Sequence, residues 1–162
     1  MFLIFSVLAP AVSFLILQRR GIIASIEMEE RKERSIPIAV MFVYCLVLFF
    51  YITYLINSNR LIVPKFLTTL PLSGAAVTAV FIIANRWRKI SIHAASSGIL
   101  VGFVLAYILQ QIEYELWVFT ITLLISGVVM SARLYLQKHT FQEVIIGWLI
   151  GSFITFVLNY WY

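Results

Sequence analysis

Arg133, His139 and Glu143 fall in one stretch, residues 131–143, that reads S-x-R-x5-H-x3-E. An imidazole can act as nucleophile or base near neutral pH. A carboxylate one helical turn away can bond one ring nitrogen and aim the other at a substrate. If a helix starts near Thr140, Glu143 stands in that position. Each residue also has a quieter reading. Thr140-x-x-Glu143 before an apolar run is a capping-box pattern, Arg133 can be a snorkelling helix-end cation, and His139 can be an ordinary interfacial loop residue.

Two more segments hold chemistry-bearing types. Lys89-Ile90-Ser91-Ile92-His93 opens a long apolar run. A histidine a few residues inside a membrane helix is a functional candidate, because ionisable groups are rare there. Its alternative is a hydrogen bond to a neighbouring helix, and Ser91 can simply cap the helix. Arg31-Lys32-Glu33-Arg34-Ser35-Ile36-Pro37 stands at the mouth of an earlier run. Its cations can clamp a phosphate or form a solvated turn balanced by Glu29, Glu30 and Glu33.

The elements that must position these groups are apolar. Of 162 residues, 62% are hydrophobic and 12% charged, against roughly 25% charged in a soluble domain. Residues 1–18, 35–59, 66–85, 90–112, 116–132 and 144–162 lack Asp, Glu, Lys and Arg. A helix needs about 20 such residues to cross the hydrocarbon, and the backbone must satisfy its own hydrogen bonds there. Period-2 alternation is absent, which argues against a β-barrel. The sequence therefore predicts an all-α polytopic membrane protein, a bundle of six transmembrane helices, as one membrane-embedded domain over residues 1–162.

Details support that reading. Tyr51, Tyr54, Trp87, Tyr107, Trp117 and Trp161 stand near run ends, as interfacial anchors do. Pro71 is expected to kink the third run. Gly98-x-x-x-Gly102 and Gly147-x-x-x-Gly151 allow close helix contact, here within the molecule. The first run has no basic residues before it, so it reads as a retained helix and not a signal peptide. Cys45 has no partner in the sequence and reads as a small buried apolar residue. The net charge of +5 comes from residues at run ends, so lipid headgroups or an anionic substrate are expected partners, and nucleic acid is not.

Six crossings assign the connections by parity. Residues 19–34, 85–89 and 133–143 share one face. That face collects every Lys and Arg except Arg60 and Lys65, together with His93, His139 and Glu143. The positive-inside rule would make it cytoplasmic, although a phosphate site would draw cations there for its own reasons.

On these residues the chain resembles the type 2 phosphatidic acid phosphatase superfamily, the metal-independent lipid phosphate phosphatases. That family reads K-x6-R-P, then P-S-G-H, then S-R-x5-H-x3-D on six helices. Arg133-x5-His139 has the family spacing, with Ala132 inserted before the arginine and Glu143 in place of aspartate. Ser91 and His93 match the second motif, while Ile90 and Ile92 replace its proline and glycine. In the first motif Arg34 is separated from Pro37, and Glu27 stands where lysine is usual, so Lys32 or Arg31 is the substitute. The resemblance implies that His139, oriented by Glu143, attacks phosphorus and that His93 protonates the leaving group. It implies that Arg133, Arg34, Lys32 and Ser91 bind the phosphate oxygens, with no metal or other cofactor. The expected partners are a lipid phosphate substrate and membrane lipids. The expected location is a bacterial inner membrane, where the resemblance favours a periplasmic site and the basic residues a cytoplasmic one. Two other readings stay open: a phosphotransferase on the same fold, and a non-catalytic protein that binds anionic lipid.

Overall fold

The computed structural model describes residues 8–24, 32–58, 66–111 and 116–161. Every regular element among them is helical. In chain order these are α1 (Ala9–Arg19), a 3-10 turn (Lys32–Arg34), α2 (Ser35–Asn57), α3 (Phe66–Ala84), α4 (Ile92–Leu109), α5 (Leu116–Tyr135) and α6 (Phe141–Trp161). By length and composition α2 to α6 are long and apolar enough to cross a membrane, which suggests a membrane protein. Of the first expected span, residues 1–7 lie outside the described residues.

The boundaries follow from where charge stops. α2 and α3 begin where their uncharged runs begin, at Ser35 and Phe66. α5 runs past its apolar stretch to include Arg133 and Tyr135, and α6 starts at Phe141, taking Glu143 into its first turn. A long cation can keep its stem on the helix while its head reaches water, and a carboxylate is favourable at a helix N-terminus. Pro71 lies inside α3 without ending it.

The chain forms two compact units, Met1–Arg88 and Lys89–Tyr162. In the first, α1 packs on α2 and α2 on α3. Ser13 Oγ and Tyr44 OH are hydrogen-bonded at 2.7 Å. Asn85 Nδ2 donates to Ser35 Oγ at 3.3 Å, joining the end of α3 to the start of α2. Cys45 lies against Gly74, where a Cβ would come within 2.8 Å of its Sγ.

In the second unit α4 and α6 run side by side along their lengths. Both glycine pairs lie in that seam. A Cβ on Gly98 would collide with the Trp148 carbonyl, one on Gly102 with that of Ser152, and one on Gly151 with that of Ala95. Close contact within the molecule is thus what the two Gly-x-x-x-Gly patterns serve. The paired positions advance together along both helices, so α4 and α6 are parallel. The two N-termini therefore stand at the same end.

α5 packs mainly on α4 and meets α6 more lightly. Its tie to both is a polar chain. Trp148 Nε1 on α6 donates to Ser126 Oγ on α5 at 2.8 Å. Ser126 and Ser97 Oγ on α4 are 3.0 Å apart, and Ser97 Oγ donates to the Ala94 carbonyl at 2.9 Å. The buried hydroxyls of Ser97 and Ser126 are both satisfied, as a low-dielectric interior favours.

Candidate active site

α5 ends in a Schellman closure. Gln137 N–H donates to the Leu134 carbonyl at 3.0 Å, and Lys138 N–H to the Arg133 carbonyl at 3.3 Å. Gln137 takes the left-handed conformation, φ 52°. Glycine usually fills that position, since a side chain there costs about 1–2 kcal/mol. The closure gives the R-x5-H spacing its geometric meaning: Arg133 is in the last turn of α5, and His139 is the residue after the reversal.

His139 Nδ1 lies 2.7 Å from Glu143 Oε2. The imidazole side chain is 5% exposed and the carboxylate 23%, so the pair is partly shielded from water. A carboxylate acceptor selects the Nδ1–H tautomer, in which Nε2 carries the lone pair. Glu143 also takes part in the cap of α6. The Thr140 N–H donates to Glu143 Oε2 at 3.4 Å, and the Glu143 N–H donates to Thr140 Oγ1 at 3.4 Å, which completes a capping box on α6.

The start of α4 joins this cluster. The Ser91 N–H donates to the Glu143 carbonyl at 3.2 Å. Ser91 is fully buried, and its Oγ accepts from the Ala94 N–H at 3.3 Å as the N-cap of α4. A Cβ on Gly147 would come within 2.6 Å of the Ser91 carbonyl, so glycine there lets α6 approach the capping residue. His93 differs from expectation in depth. Because Ser91 caps the helix, α4 begins at Ile92, and His93 is its exposed second residue, at the mouth of the helix and not several residues inside it. It stands at the same end of the unit as His139.

Arg133 is half-buried, and its Nε is enclosed without a hydrogen-bond partner. Such a donor is costly unless a ligand or ion meets it. Arg34 belongs to the first unit, where it is buried at the start of α2. Lys32 begins the 3-10 turn of that unit, and its side chain lies outside the described residues. Among the described residues no three His, Cys, Asp or Glu side chains gather into a group that could hold a metal ion.

Two residues were not singled out by sequence reasoning. Lys89 Nζ donates to the Lys138 carbonyl at 3.1 Å. As one of several cations between α3 and α4, it carries no mark in the sequence that separates it from Arg86 or Arg88. Gln137 has no turn signature, because glycine or asparagine is the usual sign of a left-handed cap.

Residues 85–162, a stretch that contains the whole second unit, match the family model of the PAP2 superfamily. This is the family that the motifs resemble, and the match supports a phosphatase-type function, that of a phosphoric ester hydrolase. No curated protein and no solved structure significantly matches the chain.

Proposed function

We propose, from the PAP2 match of residues 85–162, that the protein is an integral membrane lipid phosphate phosphatase working through a phosphohistidine. The observation that carries the reading is the 2.7 Å contact between His139 Nδ1 and Glu143 Oε2. It leaves the lone pair of the ring on Nε2, as a nitrogen nucleophile needs.

In the first step Nε2 of His139 attacks phosphorus. The P–N bond forms, the P–O bond to the lipid alcohol or phosphate breaks, and His93 gives its proton to the departing oxygen. Arg133 and Ser91 hold the equatorial oxygens and offset the charge that grows on them; the resemblance assigns the same task to Arg34 and Lys32. In the second step water adds to phosphorus, His93 takes a proton from it, the P–N bond breaks and phosphate leaves. The cations do the electrostatic work, and no metal ion enters the scheme. An arginine in the last turn of a membrane helix is well placed for this. The lipid keeps its tails in hydrocarbon while its headgroup meets the cations at the interface.

The test is phosphate release from a panel of lipid phosphates in detergent with EDTA, by wild type and His139→Ala. Release by wild type, with loss of at least 10²-fold in the variant, is expected for a lost nucleophile. Comparable release by both would overturn the assignment. Faster turnover with an added alcohol acceptor would make the enzyme a transferase. Lipid binding without turnover, unchanged in His139→Ala, would make it a binding protein.

A further inference from the structure

The geometry points to Lys89 as a positioning residue for His139, an inference that rests on the phosphatase reading above. His139 lies in a six-residue stretch, 138–143, that runs from the turn after α5 into the first turn of α6. The residues just before α4 hold that stretch at both ends. Lys89 Nζ takes the Lys138 carbonyl at 3.1 Å, and the Ser91 N–H takes the Glu143 carbonyl at 3.2 Å. His139 is bracketed between them.

The Lys138 carbonyl has particular leverage. It shares a planar peptide group with the His139 nitrogen, so fixing that oxygen fixes the plane from which the histidine side chain departs. The N–H of Lys138 is already held by the Arg133 carbonyl. With Lys89 in place, both backbone polar groups of Lys138 are engaged. The residue before it, Gln137, is left-handed, so the backbone that leads to His139 runs through a conformation that a side chain disfavours. The carboxylate of Glu143 can orient the ring, but it cannot place the backbone that carries the ring.

Lys89 thus acts through His139 and not on the phosphate, and this distinction can be measured. Lys89→Met keeps the length of the side chain and removes the ammonium, and Lys89→Arg keeps a donor. In the full-length protein in detergent, kcat for a lipid phosphate should fall about 10- to 100-fold in Lys89→Met, the scale expected for a misplaced reacting group. KM should stay within about two-fold, as it does when ground-state binding is untouched. Lys89→Arg should recover most of the rate. A KM rise with kcat retained would make Lys89 a phosphate ligand and overturn the positioning role, as would an unchanged kcat.

A second readout does not depend on turnover. The chain has two histidines, so His93→Gln leaves His139 as the only imidazole in a 15N-histidine spectrum. One Nδ1–H tautomer is expected with Lys89 present, and exchange broadening or mixed tautomers in Lys89→Met. An identical spectrum in both backgrounds would sink the inference. If wild type releases no phosphate from any lipid, the phosphatase reading fails by itself, and the spectrum alone decides whether Lys89 orders His139.

Discussion

One oxygen of Glu143, Oε2, accepts from both the His139 ring and the Thr140 backbone. The two contacts respond differently to substitution. Glutamine also serves at the third position of a capping box, so Glu143→Gln should keep α6 capped and leave stability nearly unchanged. In the proposed mechanism it removes the negative charge that stabilises an Nδ1-protonated ring as Nε2 gains a bond to phosphorus. The loss in kcat should be on the order of 10²-fold or more, within the range for acid–base partners. Glu143→Ala also removes the acceptor of the Thr140 N–H while Thr140 Oγ1 still caps the helix, and should cost about 1 kcal/mol of stability in addition. Thermal midpoints and single-turnover rates of the two variants separate the contributions. A wild-type rate in Glu143→Gln would leave the carboxylate with a capping role only.

At the scale of the element, the parallel seam between α4 and α6 brings Ser91 to Glu143. It depends on glycine where backbone meets backbone. Gly151→Ala would put a methyl into the Ala95 carbonyl, with no flexible side chain to yield. Overpacking of this kind costs about 1–3 kcal/mol. Prising the seam apart should also loosen the Ser91–Glu143 bond and lower the rate. Gly127 on α5 is the matched control, because a Cβ there meets nothing within 4 Å. Gly127→Ala should be neutral or slightly stabilising through helix propensity. If both variants lower the midpoint equally, close approach is not what the seam glycines provide. The seam was legible in the sequence as two Gly-x-x-x-Gly patterns, and the five long apolar helices were legible as uncharged runs. The polar chain of Trp148, Ser126 and Ser97 was not legible. Serine is common in helices, and only the rotation of three helices about their axes shows that these hydroxyls meet.

For the whole molecule, the same logic separates what the sequence conveyed from what it did not. The contact between His139 and Glu143 and the place of Arg133 in the last turn of α5 were readable because they depend on local spacing, one turn of α6 and the reversal after α5. Lys89 reaches across 49 residues to a backbone carbonyl, and a carbonyl has no letter in the sequence. The division into Met1–Arg88 and Lys89–Tyr162 was hidden as well, since both units are equally apolar. What the sequence offers at this scale is parity. α4 and α5 separate the connection at Arg88 from the one at Gln142, so both should face the same side of the membrane, with Gln111 at the far end of α4 on the other. Gln142, Arg88 and Gln111 are all exposed. Single cysteines at these positions in a Cys45→Ser background should therefore react with a membrane-impermeant maleimide in two groups. Cys45 lies within α2, so its removal leaves the connections untouched. In intact cells of an expression host, labelling of Arg88→Cys and Gln142→Cys without Gln111→Cys places His139 and its cations outside the cytoplasm, where the resemblance puts them. Labelling of Gln111→Cys alone places them inside, where the positive-inside rule puts them. Labelling that splits Arg88→Cys from Gln142→Cys would mean that α4 and α5 do not both cross, and the parity of the connections would fall with it.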